Sequence, residues 1–255
     1  MIKAFIQFNK RICLAVENYF PQSKNDARFF NLEYERLIVD YARQMKEGGV
    51  IVDAGGGRSC PFARKKPSNF KITSVDISAE ELEANIDVDD KKISDISRHL
   101  PFEDSEVDII ASKMVIEHLP QTEGFISESG RVLKAGGKLI TFFPSRFAPF
   151  ALISQSLPHK LSEGLVAAFH PEWVSGGRSG RFRTFYDKCY YSAFKSLLDS
   201  KGFRVEKEYI TYAQSRYFDF FFPFYILSMT YELLVHTLRL KNLAAYLLIV
   251  AQKTG

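Results

Sequence analysis

Apolar positions change their period along this chain. From residue 2 to residue 20 they recur at helical spacing, at Phe5, Phe8, Ile12, Val16 and Tyr19. That pattern predicts an amphipathic helix with one buried stripe, stopped by Pro21. A second helix is predicted from about Leu32 to Lys46, with Leu37, Ile38, Tyr41 and Met45 on one face and Gly48 and Gly49 ending it. The period then shortens. Val50, Ile51 and Val52 form a brief run rich in β-branched residues, which reads as a buried strand. Further strands are predicted at Lys71 to Val75, across Val107 to Ser112, at Leu139-Ile140, from Gly202 to Val205 and at Tyr246 to Ala251. Between them, Ala79 to Ala84 and Tyr191 to Leu198 read as helices.

One stretch departs from both periods. Within an insert of about residues 214–242, Phe218 to Val235 is strongly apolar yet contains Asp219, Pro223 and Glu232. A spanning helix needs about 20 apolar residues without such interruptions. After Pro223 the polar residues Ser228, Glu232, His236 and Arg239 form one narrow stripe, and the remaining faces are apolar. The pattern predicts a helical hairpin, or a helix kinked at Pro223. Its cover is open at this point between the domain's own core, a second subunit and a membrane surface.

Composition narrows the class. The 255 residues fit one α/β domain with additions, or a small two-domain protein. A formal charge of +4 gives no argument for a nucleic-acid partner. Cys13, Cys60 and Cys189 are scattered and lack metal-ligand spacing, so a reduced cytoplasmic protein without a metal is expected. Lys10 and Arg11 interrupt the apolar residues of the first helix, and Ile12 to Val16 is too short for the core of a signal peptide.

The candidate chemistry begins at Gly49 to Ser59, GVIVDAGGGRS. Asp53 ends the first strand, and Gly55, Gly56 and Gly57 turn the chain sharply, because glycine accepts backbone angles that other residues resist. Such a turn lets a ligand approach the main chain. A dinucleotide site wants G-x-G-x-x-G, but Cys60 occupies the third glycine position. Asp53, two residues before the first glycine, would also repel a pyrophosphate. A carboxylate there suits a ligand that presents a cation.

Asp53-Ala54-Gly55-Gly56-Gly57 resembles the D-x-G-x-G loop of class I S-adenosylmethionine (SAM)-dependent methyltransferases, and the rest of the chain supplies the companion motifs. Asp76 follows the second strand, about 20 residues beyond the glycines, where an acid can accept from both ribose hydroxyls. The alternative is a helix N-cap by Asp76 or Ser78. Ser94-Asp95-Ile96, Leu100-Pro101-Phe102 and Val107-Asp108-Ile109-Ile110 resemble the next run of the family. Val115-Ile116-Glu117-His118-Leu119 resembles its segment after strand four, and Arg131 to Ile140 its helix end, glycine turn and fifth strand. The resemblance covers roughly residues 47–145. Val107 and Ala135 depart from the family's usual Phe and Pro.

The resemblance implies an α/β, Rossmann-like, mostly parallel seven-stranded sheet with helices on both faces and an antiparallel last strand. It implies an N-terminal helical cap over residues 1–46 and a methyltransferase domain over residues 47–255. SAM is the implied cofactor, held by Asp53, Gly55, Gly56, Gly57, Asp76, Ile77, Asp95 and Ile96. Glu117 and His118 are the best acid/base pair in the sequence, and His170 is a second candidate base. On the acceptor side stand Arg146, Arg183 and Tyr186, with Arg178 and Arg181 in the same basic stretch, suited to oxyanions. The implied acceptor is a small molecule or glycan, through a hydroxyl. A lipid-like acceptor and a SAM-binding subunit without catalysis are the alternatives.

Overall fold

The computed structural model describes residues 2–17, 27–45, 47–171 and 182–255. Seven strands form one sheet: β1 Gly49–Ala54, β2 Phe70–Asp76, β3 Asp90–Ile93, β4 Val107–Lys113, β5 Leu133–Pro144, β6 Phe203–Thr211 and β7 Tyr246–Lys253. Their order is β3-β2-β1-β4-β5-β7-β6. Strands β1 to β5 pair in parallel, and β7 runs antiparallel to both β5 and β6. From β1 the chain proceeds outward through β2 to β3, then returns to place β4 on the other flank of β1. The order therefore reverses between β1 and β4. In open α/β sheets the crevice beyond the strand ends at such a reversal is where ligands bind.

Strand alternation divides the core into two layers. Ile51, Ile109, Ile140, Phe142, Leu248 and Val250 face one side, under α2 (Ala27–Gln44). Val52, Ile110, Leu139, Phe143, Leu247 and Ile249 face the other, under α4 (Thr122–Val132) and α7 (Tyr191–Ser200). Side chains on a strand point to opposite faces in turn, and both faces here are covered. Helix α2 packs directly on the sheet: Phe30 and Tyr34 meet Phe142. Asp108 accepts from Val50 N (2.8 Å) and pairs with Lys134 (2.8 Å), joining the starts of β1, β4 and β5.

Three expectations are corrected. Helix α1 (Ile2–Glu17) buries Asn9 and Cys13, while Phe5 and Phe8 face outward. Asn9 Oδ1 accepts from Phe222 N (2.9 Å), so a backbone hydrogen bond sets the rotation of this helix. Tyr19 lies outside the described residues. Gly136-Gly137 makes no turn between helix and strand. Strand β5 begins at Leu133 and carries the glycines in a bulge, where the register moves from Val107↔Leu133 to Ile109↔Lys138. The aromatic insert holds a single α-helix, α8 (Phe222–Thr237), with Pro223 in its first turn. There a missing N–H costs nothing, so proline starts this helix instead of kinking it.

Candidate active site

The glycine loop crosses the carboxyl ends of β1 and β2. Gly55 and Gly57 have φ of +75° and +52°, in the left-handed region. Gly55 N donates to Val75 O (2.7 Å) and Gly57 N to Asp76 Oδ2 (3.1 Å). A side chain on Gly55 would collide with Val115, its Cβ reaching 2.7 Å from Cγ1. One on Gly56 would collide with Ser74 Oγ and lie 2.5 Å from Asp53 Oδ2. In front of Gly57 the space is open, the nearest atom to a Cβ being Glu81 Oε2 at 3.9 Å. The loop thus lies tight on the sheet with an open outer side.

Asp53 lies under that loop, buried on the α2 side of the sheet. Burial pushes its carboxyl up to about 7, against a hydrogen bond from the Cys60 thiol and the charge of Lys113. Asp76 is buried at the end of β2. Besides Gly57 N, it accepts from Ser78 N (2.9 Å). Ser78 is the cap of α3 (Ala79–Glu83), its Oγ accepting from Glu81 N. Asp76 therefore does not cap the helix; it ties the glycine loop to the second strand. The neighbouring Ile77 is exposed. Asp95 sits beyond β3 with Oδ1 accepting from Ser97 N (3.0 Å) and Ser97 Oγ (2.6 Å), and Ile96 is buried beneath it.

Beyond β4 a second group assembles. Met114 takes φ +58°, and a 3-10 turn spans Ile116–His118. Glu117 is 2% exposed, and its Oε2 has no hydrogen-bond partner among the described residues. Burial pushes this carboxyl up to about 8. His118 Nδ1 lies 3.0 Å from Arg183 O, and Nε2 lies 3.8 Å from Glu117 Oε1. A carbonyl oxygen only accepts, so Nδ1 carries a proton, and in the neutral imidazole Nε2 is then the acceptor nitrogen. The main chain of Glu117 accepts from Phe185 N (2.8 Å) and Tyr186 N (3.1 Å). Arg146 Nη1 reaches Tyr186 O (3.5 Å). The structure thus gathers Glu117, His118, Arg146, Arg183 and Tyr186 at the ends of β4 and β5. Val115, against Gly55, joins this group to the glycine loop.

His170 is placed elsewhere. It is buried with Nε2 3.2 Å from Tyr217 O and Nδ1 3.5 Å from Lys10 Nζ and 3.9 Å from Asp219 Oδ1. These contacts tie the end of α6 (His159–Phe169) to α1 and to the segment before α8. Arg178 and Arg181 lie outside the described residues. No cluster with metal-ligand composition occurs among the described residues.

Sequence reading missed two neighbours of this site. Lys113, at the end of β4, sits close enough to Asp53 to lower its pKa, and its Nζ lies 5.8 Å from the Tyr34 ring. A lysine closing a buried strand was the available signal. Tyr246 is buried, hydrogen-bonds Tyr217 OH (2.6 Å) and lies near enough to Glu117 for that carboxyl, once ionised, to raise its pKa further. No spacing in the sequence announces that pair.

The strand order and the glycine loop at the order reversal define a Rossmann-like methyltransferase fold. Comparison with known proteins agrees. Residues 52–141 match the family model of a methyltransferase domain. An uncharacterized protein of Methanocaldococcus jannaschii, MJ1123, is 37% identical over 108 residues, 42% of this chain and 50% of that protein. The 27-O-demethylrifamycin SV methyltransferase of Amycolatopsis mediterranei is 29% identical over 104 residues, 37% of this chain and 38% of that protein. The chain's match thus spans half or less of the curated relatives' lengths. The geranyl diphosphate C-methyltransferase of Streptomyces coelicolor superposes with a TM-score of 0.54 over 89% of this chain and 80% of that one, at 15% identity. Residues 52–141 thus match a methyltransferase domain, and the fold around them is the Rossmann-like one of SAM-dependent methyltransferases.

Proposed function

We propose that this protein transfers a methyl group from SAM to a hydroxyl of a small-molecule or glycan acceptor. The observation that carries the reading is the assembly of Glu117, His118, Arg146, Arg183 and Tyr186 directly beside the glycine loop. When bound, SAM supplies a methyl group already activated on a sulfonium. The open outer side of Gly57 and the carboxylates of Asp76 and Asp95 suit that cofactor. Asp76 would accept from the ribose and Asp95 from the adenine amine, with Ile77 and Ile96 against the base. Asp53 acts from below the loop, as a negative partner for the amino group, and Lys113 beside it suits the carboxylate of the same moiety.

His118 takes the proton of the acceptor hydroxyl through Nε2, because its Nδ1–H is held by Arg183 O. Glu117 at neutral pH is mostly the protonated acid, so it serves as a hydrogen-bond donor and not as the base. Arg146 and Arg183 would receive an anionic group of the acceptor, as guanidinium suits oxyanions. His170, walled in by Lys10, Asp219 and Tyr217, has a packing role in this reading. The division into residues 1–46 and 47–255 is kept with α2 as part of the sheet's cover. The free, buried cysteines support a cytoplasmic setting.

The relative that methylates 27-O-demethylrifamycin SV supports an oxygen acceptor. A lipid-like acceptor is the second reading, favoured by the leucines that α8 leaves outward. Calorimetry with SAM, S-adenosylhomocysteine and NAD tests the cofactor, and NAD binding without SAM binding refutes it. Transfer of labelled methyl from SAM to a panel of hydroxyl, amine and lipid acceptors tests the reaction. Cofactor binding with no transfer to any of them supports a non-catalytic SAM-binding subunit instead.

A further inference from the structure

Helix α8 is turned inside out relative to a water-facing helix. Its polar residues Ser228 and Glu232 point inward, where Glu232 Oε1 accepts from Gln214 N (2.9 Å) and from Ser215 N. Satisfying those backbone donors fixes the rotation of the helix. The outward face carries Leu227 and Leu234, 68% and 56% exposed, with Phe224, Ile226, Leu233 and Leu238 around them. Residues 222–235 place no charge on that face; their single acid is the inward Glu232.

The apolar face continues onto two other helices through a chain of ring contacts. Phe5 of α1 meets Phe221 (6.2 Å), Phe221 meets Phe224 (5.0 Å), Phe224 meets Phe220 (6.3 Å), and Phe220 stacks on Phe169 of α6 (4.1 Å). Phe5 and Phe8 on α1, and Leu161 and Leu165 on α6, are themselves exposed. Soluble monomers rarely expose contiguous apolar patches beyond a few hundred Å2.

Charge names the occupant. Among the described residues, the exposed charged side chains on and beside these helices are Lys3 and Arg11 on α1, Lys160 on α6, and Arg216 and Arg239 before and just beyond α8. All are cations. The acids of the same elements are turned away or engaged: Glu17 pairs with Arg216, Glu232 is inward, and Glu163 is half-buried. An uncharged leucine and phenylalanine face bordered, among the described residues, by exposed cations is complementary to an anionic bilayer, whose acyl chains take the apolar groups and whose headgroups take the cations. A second copy of the chain would bring the same cations against these ones. No described helix is long and apolar enough to cross a membrane, so contact is with the surface.

We propose that the outward faces of α1, α6 and α8 form a docking surface for an anionic lipid bilayer. This inference is independent of the acceptor and of methyl transfer. The test is flotation of the full chain with vesicles of phosphatidylcholine alone, or of phosphatidylcholine mixed with phosphatidylglycerol. The mixed vesicles carry the protein up, and the plain ones do so weakly. The double variant Leu227→Glu/Leu234→Glu loses roughly tenfold or more in partitioning. The double variant Lys3→Glu/Arg11→Glu loses the preference for phosphatidylglycerol by about fivefold for each cation removed. S-adenosylhomocysteine binding by calorimetry, unchanged in both variants, shows that they remain folded and keeps failure of docking apart from failure of the cofactor reading. If the leucine variant does not fold, Phe5→Ser/Phe8→Ser on α1 gives the same reading. No flotation with the mixed vesicles overturns the proposal, and so does flotation indifferent to the leucine or phenylalanine substitutions. A lipid-indifferent dimer in light scattering that Leu227→Glu/Leu234→Glu dissociates also overturns it, in favour of a second copy.

Discussion

Glu117→Gln should make the protein more stable at neutral pH and less active. The Glu117 carboxyl is buried, with no partner for Oε2 among the described residues, and burial raises it from 4.5 to about 8. Between those values the native state keeps a proton that the unfolded chain has released. The carboxyl's contribution is therefore whole below about pH 4.5 and is lost as pH rises toward 8, at about 1.4 kcal/mol for each pH unit. The accumulated loss is about 1 kcal/mol at pH 5 and about 3 kcal/mol at pH 7, where the carboxyl is still mostly protonated. Glutamine keeps the shape and stays neutral, so the variant escapes this loss. For a chain of this size 3 kcal/mol corresponds to a rise in thermal midpoint on the order of 6 to 12 °C. Burial also raises Asp53 and Glu232 to about 7, so the wild type should lose stability from mildly acidic toward neutral pH for three reasons. The difference between wild type and Glu117→Gln isolates one of them. Scanning calorimetry without ligand, from about pH 5 to 8, reads that difference, and labelled-methyl transfer reads the functional cost. A gap in midpoint that stays constant with pH, or a variant less stable than wild type at pH 8, refutes the reasoning.

Further outcomes follow from the same geometry. Gly56→Ala should abolish SAM binding and lower stability more than Gly57→Ala, because its Cβ meets Ser74 and Asp53, whereas Gly57 has open space and only its left-handed φ. Paired calorimetry and urea unfolding rank the two, and the reverse order counts against the loop geometry. Asp76→Ala should cost about 1.5–3 kcal/mol of stability as well as cofactor affinity, since its carboxylate holds Gly57 N and Ser78 N; unaltered urea unfolding contradicts that anchoring role. His118→Gln should lower kcat about a hundredfold or more with SAM affinity kept, while His170→Gln should lower the thermal midpoint and leave kcat nearly unchanged. Equal kcat losses in both would remove His118 as the base.

Local chemistry is what the sequence determined by itself. The β-branched run of β1, the glycines after Asp53 and the acid closing β2 are short-range features. Each is dictated by backbone sterics or strand period within a few residues, so their order announced the fold and the loop before any coordinates. Tertiary structure decided what those side chains face. The sequence shows Asp53 at a strand end, but only the packing of α2 and the Cys60 thiol turns it under the loop. The pair Glu117 and His118 was legible as a pair, yet the tautomer of His118 depends on Arg183 O, 65 positions away in the chain. Helix α8 shows the limit most clearly. Its period gave a helix and a polar stripe, but period is blind to which stripe is inside. The backbone N–H groups of Gln214 and Ser215 needed an acceptor, Glu232 supplied it, and that long-range hydrogen bonding turned Ser228 and Glu232 inward and the leucines out, while His236 and Arg239 at the end of the stripe stay exposed.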